Sequence, residues 1–248
     1  GSTTNSHFFS ELGQRIIKRA NHFGPYGQLY EVDPRLRPTG RSGALAVSLD
    51  EFVRYFRSGG GQLWERQSLC KARVITGSPA VRERSMQAVV EATYCKPWQS
   101  SFATEIRNMR LKLEETASPR NLKRTAGGTM DTEFIVQMLQ LKHGQSLPEI
   151  RVHGTLTGLS ALEQASILST SDAEFLRRAY RFQRSTEARI RLMDSSGRHE
   201  YPDNPKEQSK LAFLLGYGDS EKLSQEVAKI FREVRETFLK VFDIAEKA

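Results

Sequence analysis

The chain has 248 residues, with 37 Lys and Arg against 29 Asp and Glu for a formal net charge of +8. That length buries a sizeable core in about one or two domains, and the positive balance suits an anionic ligand or partner. Basic residues are interleaved with acidic ones, and neither zinc-finger spacing nor an RNA-binding aromatic motif occurs, which argues against a nucleic-acid partner. With no signal region and no stretch of about 18 apolar residues, a soluble, cytoplasmic protein without a membrane partner is expected. Cys70 and Cys95 stand alone without CxxC spacing, and the histidines form no HExxH pattern, so neither a disulfide framework nor structural zinc is expected.

From His7 to His22, Phe8, Phe9, Leu12, Ile16 and Ile17 recur at helical spacing and predict an amphipathic helix, broken at Gly24-Pro25. The stretch Gln28–Val47, QLYEVDPRLRPTGRSGALAV, reads as extended chain with a period of two. Glu31, Asp33, Arg35 and Arg37 then share one face, opposite Tyr30, Val32, Pro34 and Leu36. Pro34 biases Asp33 towards extended geometry and removes a ladder donor, so the strand is expected to end there or to lie at a sheet edge. Pro38–Gly43 supplies turn residues, and Ala44–Val47 reads as a short returning strand. A carboxylate at a strand end with two arginines beside it is suited to holding Mg²⁺ next to a polyphosphate; a solvated face of self-paired charges is the alternative.

Ser48 and Glu51 form a capping box for a helix to about Arg57, and Gly59-Gly60-Gly61, lacking a following GK[ST], reads as its stop. Leu63–Lys71 is expected to be helical and Arg73–Thr76 extended. Ser78-Pro79 opens a helix to about Tyr94, and another follows Pro97 to about Glu115. Ser118-Pro119 marks a boundary between lobes. Beyond it Lys123-Arg124 and Gly127-Gly128 precede a helix from about Met130 to Lys142, an arrangement open to anion binding or to simple capping. Helices are expected at Leu156–Ile167, from the Ser171-Asp172 cap through Met193, around Leu211–Leu215, and from Ser220 onward, with a polar loop holding Gly197 and Pro202 between the second and third.

Three ordered motifs carry a resemblance. Residues 29–43 read L-Y-E-V-D-x-R-L-R-P-x-G-x-x-G; Trp64, Glu65, Leu69, Lys71, Ala72 and Arg73 fit W-E-x-x-A-L-x-[RK]-A-R, with Ser68 in place of alanine; and Lys123, Gly127, Gly128, Asp131, Glu133, Phe134 and Gln137 fit K-x-x-x-G-G-[IL]-x-D-I-E-F-I-x-Q, with Thr129 and Thr132 in place of aliphatic residues. The chain resembles the glutamine synthetase adenylyltransferases, bacterial enzymes built from polymerase-beta-like nucleotidyltransferase domains. The resemblance is clear from about Phe9 to His143 and looser beyond.

It implies an α+β but predominantly α-helical fold: the end of a nucleotidyltransferase domain with a small sheet remnant over residues 1–117, then a helical bundle over residues 118–248. The family's G-S-x-x-x-x-D-x-D turn is not in this sequence, so the chain is expected to be a fragment that is inactive alone. Asp33 corresponds to the family's third, catalytic and metal-binding carboxylate, with Glu31 as a second metal candidate. Arg35, Arg37, Lys71, Arg73 and Lys123 are the expected nucleotide contacts. Mg²⁺ and ATP follow as cofactor and substrate, and glutamine synthetase and a PII-type signal protein as partners. The alternatives are a non-catalytic helical module docking either partner, and a PII uridylyltransferase fragment.

Overall fold

The computed structural model describes residues 4–25, 27–28, 31–193 and 199–247. They form ten α-helices and one two-residue β ladder, in which Phe23–Gly24 (β1) pairs antiparallel with Gly27–Gln28 (β2). The chain is therefore predominantly helical. The expected strand over Gln28–Val47 is not formed: among its described residues, those from Glu31 onward make turns and bends, and Ala44–Val47 is an unpaired loop. Tyr30 lies outside the described residues. The backbone has local partners instead of a ladder. Asn21 accepts the Val32 N–H through Oδ1 at 2.7 Å and donates back to the Val32 carbonyl at 3.4 Å. Arg73–Thr76 is likewise unpaired, and an isolated bridge joins Asn121 to Glu200.

The chain divides into two compact units, residues 1–95 and 96–248. In the first, α1 (Asn5–Ala20) precedes β1, and α2 (Leu49–Arg57), α3 (Leu63–Leu69) and α4 (Pro79–Tyr94) follow. The start signals act as the residue types dictate. Ser48 Oγ accepts from Glu51 N at 3.2 Å while the Glu51 carboxylate accepts from Ser48 N at 3.0 Å, a reciprocal capping box. Ser78 caps α4 ahead of Pro79. Helices α2 and α3 pack on α4 around Phe56, Cys70, Ala88, Ala92 and Tyr94, all buried. Arg66 is buried among them and donates to the carbonyls of Ala92 (2.5 Å) and Phe56 (3.3 Å). Helix α1 contributes no buried residue.

In the second unit, α5 (Ser100–Glu115), α6 (Thr129–His143), α7 (Thr155–Gln164), α8 (Thr170–Met193), α9 (Pro205–Leu214) and α10 (Ser220–Lys247) form a bundle. Helix α5, which precedes the Ser118-Pro119 boundary, packs on α6 and α10. Helix α6 is the core element: Ile135, Val136, Met138, Leu139 and Leu141 are buried around most of its circumference. Helix α9 begins six residues before the expected Leu211, because Asn204 caps it ahead of Pro205.

Asp131, fully buried in the first turn of α6, ties three helices together. It meets Arg110 Nε of α5 at 2.6 Å and Arg235 Nη1 of α10 at 3.1 Å, and it accepts the Gly127 N–H at 2.8 Å. Glu114 completes the set, 2.8 Å from Arg235 and 3.3 Å from Arg110. Burial pushes the Asp131 carboxyl up, while the two guanidiniums and the Gly127 N–H pull it back towards the ionised form. Removing one partner of a buried pair leaves the other charge uncompensated, so Asp131→Asn should lower unfolding free energy in urea by about 3–5 kcal/mol. A loss below about 1 kcal/mol would mean that the apolar contacts alone hold α5, α6 and α10 together.

Candidate functional site

The charged segment that begins at Glu31 leaves α1 through Asn21 and enters a turn at Pro34. Asp33 closes that turn: its Oδ1 accepts from Arg35 N at 3.0 Å, and its Oδ2 accepts from Arg35 Nε at 2.6 Å. The carboxylate and guanidinium thus face each other two residues apart, and both are exposed. The hydrogen bonds from Arg35 hold the Asp33 carboxyl below the usual carboxylate range. Glu31 is exposed beside them, close enough to Arg35 to favour its charge.

Arg37 has a different surrounding. Its guanidinium donates to the carbonyls of Pro34 (2.5 Å), Gly43 (3.1 Å) and Arg41 (3.2 Å), closing residues 34–43 into a compact loop. Thr39 in that loop has φ +60°, a left-handed conformation costly for a residue with a branched side chain. Its N–H is held by Glu65 Oε1 at 3.2 Å. Glu65, 4% exposed, also accepts from Gln62 N at 2.7 Å and from the Tyr55 hydroxyl at 2.8 Å.

Lys71 is exposed just past α3, and Arg73 is exposed in the unpaired segment after it. Lys123 belongs to the second unit, half-buried in the loop before α6. The start of α6 is closed to an anion, because its N–H groups already have acceptors. Gly127 N donates to Asp131, Gly128 N to Thr125 O at 2.9 Å, Thr129 N to Leu122 O at 3.3 Å and Met130 N to Lys123 O at 3.1 Å. The diglycine serves close packing instead. A Cβ on Gly127 would run into the Phe231 carbonyl of α10, and one on Gly128 would lie 2.7 Å from the Leu122 and Lys123 carbonyls.

Among the described residues no group of three or more His, Cys, Asp or Glu side chains converges as a metal site. A hard divalent cation takes about six oxygen ligands, several of them water or substrate oxygens. Asp33 and Glu31 therefore fit as part of such a set. The chemistry the segment offers is an oriented carboxylate with exposed cations near it.

The comparisons with known proteins divide along the same line as the fold. The family model for glutamate-ammonia ligase adenylyltransferase matches residues 1–88, and the model for GlnD PII-uridylyltransferase matches residues 103–242. Curated relatives named bifunctional glutamine synthetase adenylyltransferase/adenylyl-removing enzyme align over most of the chain. The Thioalkalivibrio sulfidiphilus protein is 31% identical over 96% of the chain, and that of Rhodopseudomonas palustris 32% identical over 92%. The Pseudomonas syringae protein is 32% identical over 87% of it. The chain belongs to the glutamine synthetase adenylyltransferase family. It spans about a quarter of the length of these relatives, 22% to 25%.

Within this adenylyltransferase-family chain, one charged cluster had no counterpart in the sequence reading. Glu187, 1% exposed in the middle of α8, accepts from Arg184 Nη1 at 2.6 Å, and its Oε1 lies 3.9 Å from His199 Nδ1. Arg191 stands 3.4 Å from the His199 ring nitrogens. Glu133 of α6 accepts from the Tyr180 hydroxyl at 3.0 Å. The available signal was Glu187 falling three residues before the buried Ile190 on the inward stripe of α8.

Burial, with Arg191, Lys123 and Arg184 nearby, pulls the His199 imidazole below 6.5, and burial with Lys142 does the same to His143. The unfolded chain therefore takes up these protons at a higher pH than the folded one, so stability is lost as pH falls through 6.5. Glu187, raised by burial, acts in the opposite sense at pH above 4.5, because the folded chain takes up that proton before the unfolded one does. The thermal midpoint should fall between about pH 7.5 and about pH 5.5, and His199→Gln should make that fall shallower. An unchanged slope would place the titration elsewhere.

Proposed function

We propose that this chain forms part of an enzyme that transfers AMP from ATP to glutamine synthetase, or removes it by phosphorolysis, and that Asp33 is a metal-holding carboxylate of that reaction. The observation that supports this most is the exposed Asp33 carboxylate, oriented by Arg35 inside the segment that carries L-Y-E-V-D-x-R-L-R-P and that the adenylyltransferase family model matches. Mg²⁺ bound with ATP supplies charge neutralisation on the triphosphate and acidifies the attacking group. Asp33, with Glu31 beside it, would contribute carboxylate oxygens to that ion, with substrate and other parts of such an enzyme supplying the remaining ligands.

Arg35 holds Asp33 in one orientation and keeps it ionised, so the carboxylate is ready for a cation without first losing a proton. Lys71 and Arg73 are the cations of this unit assigned to phosphate. Arg37 acts by shaping the loop, since its guanidinium is occupied by three carbonyl groups. Lys123 belongs to the helical unit, where its charge faces Glu187 and His199. The resemblance of residues 103–242 to a PII-uridylyltransferase model supports a role for that unit alongside nucleotidyl transfer, with a PII-type signal protein as a second partner.

Asp33→Asn keeps the shape and removes the negative charge from the metal, so in the full-length enzyme kcat should fall roughly 10²–10⁴-fold. The thermal midpoint should hardly move, because the side chain is exposed. Glu31→Gln should have the smaller effect. A near-normal kcat for Asp33→Asn would turn the row into an ordinary charged surface and favour a non-catalytic docking module. The chain by itself, incubated with labelled ATP, Mg²⁺ and glutamine synthetase, should leave the acceptor unlabelled, since one carboxylate pair supplies too few ligands. Labelling above a control without the chain would relocate the active site.

A further inference from the structure

Glu65 has a position that packing alone does not require. A carboxylate this deeply buried is costly unless fully hydrogen-bonded, and its three donors come from three different parts of the first unit. Gln62 N belongs to the start of its own helix, Tyr55 to α2, and Thr39 N to the loop that follows Asp33 and Arg35. The first two would cap α3 and dock it on α2 without the third. The Thr39 contact is the only one that reaches outside the helices, and it lands on the residue whose backbone is in the left-handed region.

We propose that Glu65 is a positioning residue for Asp33, acting through the left-handed turn at Thr39. Holding the Thr39 N–H fixes the middle of the 34–43 loop to α3, and Arg37 ties the two ends of the loop together through the Pro34 and Gly43 carbonyls. The near end of the loop is the Asp33–Arg35 turn. With both ends tied, the carboxylate has one orientation towards a metal ion. Without Glu65 the strained Thr39 relaxes to an ordinary backbone conformation and the loop swings about Pro34. The inference rests on the reading of Asp33 as a metal-holding carboxylate, and a separate variant tests each.

The test is the Mg²⁺ dependence of AMP transfer in the full-length enzyme. Glu65→Gln keeps the size of the side chain but replaces one acceptor oxygen by a donor. It should raise the Mg²⁺ concentration for half-maximal rate several-fold and lower kcat roughly 10–100-fold, as expected for a slightly misplaced ligand. Gln62→Pro removes another donor to the same carboxylate, at a position whose φ of −70° admits proline, and leaves Thr39 untouched. It should lower the thermal midpoint yet leave the Mg²⁺ curve in place. Thr39→Gly removes the conformational strain, so in the Glu65→Gln background it should restore part of the Mg²⁺ response. If Asp33→Asn abolishes transfer while Glu65→Gln shifts only the thermal midpoint, Glu65 is a structural residue and the inference is overturned. A Mg²⁺ curve that moves equally in Gln62→Pro would overturn it too. If Asp33→Asn leaves transfer intact, the reading of the segment fails first, and that failure is recognisable without any Glu65 variant. Should Glu65→Gln not fold, Glu65→Asp decides: the shorter side chain withdraws its carboxylate from the Thr39 N–H, and an unchanged Mg²⁺ curve overturns the inference.

Discussion

The second unit depends on one buried carboxylate. Asp131 sits where α5, α6 and α10 meet, and each of its neighbours is fixed by the need to compensate it. Arg110, itself fully buried, pairs with Glu114 at 3.3 Å and donates to the Thr125 carbonyl at 2.8 Å. The loop before α6 must then fold back so that the Gly127 N–H reaches the same carboxylate, and this brings Gly127 against the backbone of α10, where no side chain fits. Gln183 of α8 donates to the Gly127 carbonyl at 2.6 Å, so both polar groups of that residue are taken. A glycine pair and an aspartate four residues after the first glycine are thus one device. Its function is to join helices with a satisfied charge at their centre.

This device shows how far the sequence could be read. The G-G-x-x-D pattern was visible, and so was the ambiguity between an anion-binding helix start and a cap. Deciding it required knowing what approaches from residues a hundred positions away, Phe231 and Arg235, and local pattern carries no such information. Helices with their own start signals were legible to within a residue or two: Ser48 with Glu51, Ser78 with Pro79, and the opening of α10 at Ser220. Helix α9 was read short because its inward residues cluster at the end, although Asn204-Pro205 marks its start.

The strand failed for a physical reason that the same letters contain. Period-two alternation places side chains on faces, but a strand exists only with a neighbour to accept its backbone groups. Among the described residues no neighbouring strand pairs with residues 31–37. Asn21 takes the Val32 groups, the Asp33 side chain takes the Arg35 N–H, and Pro34 has no N–H to give. Asp33 and Arg35 do pair, as the alternative of self-paired charges had it, but across a turn and not on a strand face. Arg37, the next on that face, turns inward to carbonyl groups because the chain has already bent at Pro34.

Adjacent residues in α3 show why sequence motifs mix function and support. Glu65, Arg66 and Gln67 are consecutive, polar and buried, at 4%, 3% and 3% exposure. Glu65 and Arg66 carry opposite charges but do not neutralise each other. Glu65 faces the Thr39 turn and Tyr55, whereas Arg66 faces the Phe56 and Ala92 carbonyls and the Cys95 sulfur at 3.1 Å. Arg66 therefore serves only the helices, because every acceptor it has lies in or just beyond α2 and α4. Glu65 serves a loop as well, and the loop bears the exposed Asp33. The two charges could be exchanged for apolar groups with different consequences. Replacing Arg66 would leave acceptors unsatisfied within a helical core, a penalty in stability. Replacing Glu65 would in addition release a backbone turn held in the left-handed region, in the loop that follows the exposed Asp33–Arg35 pair.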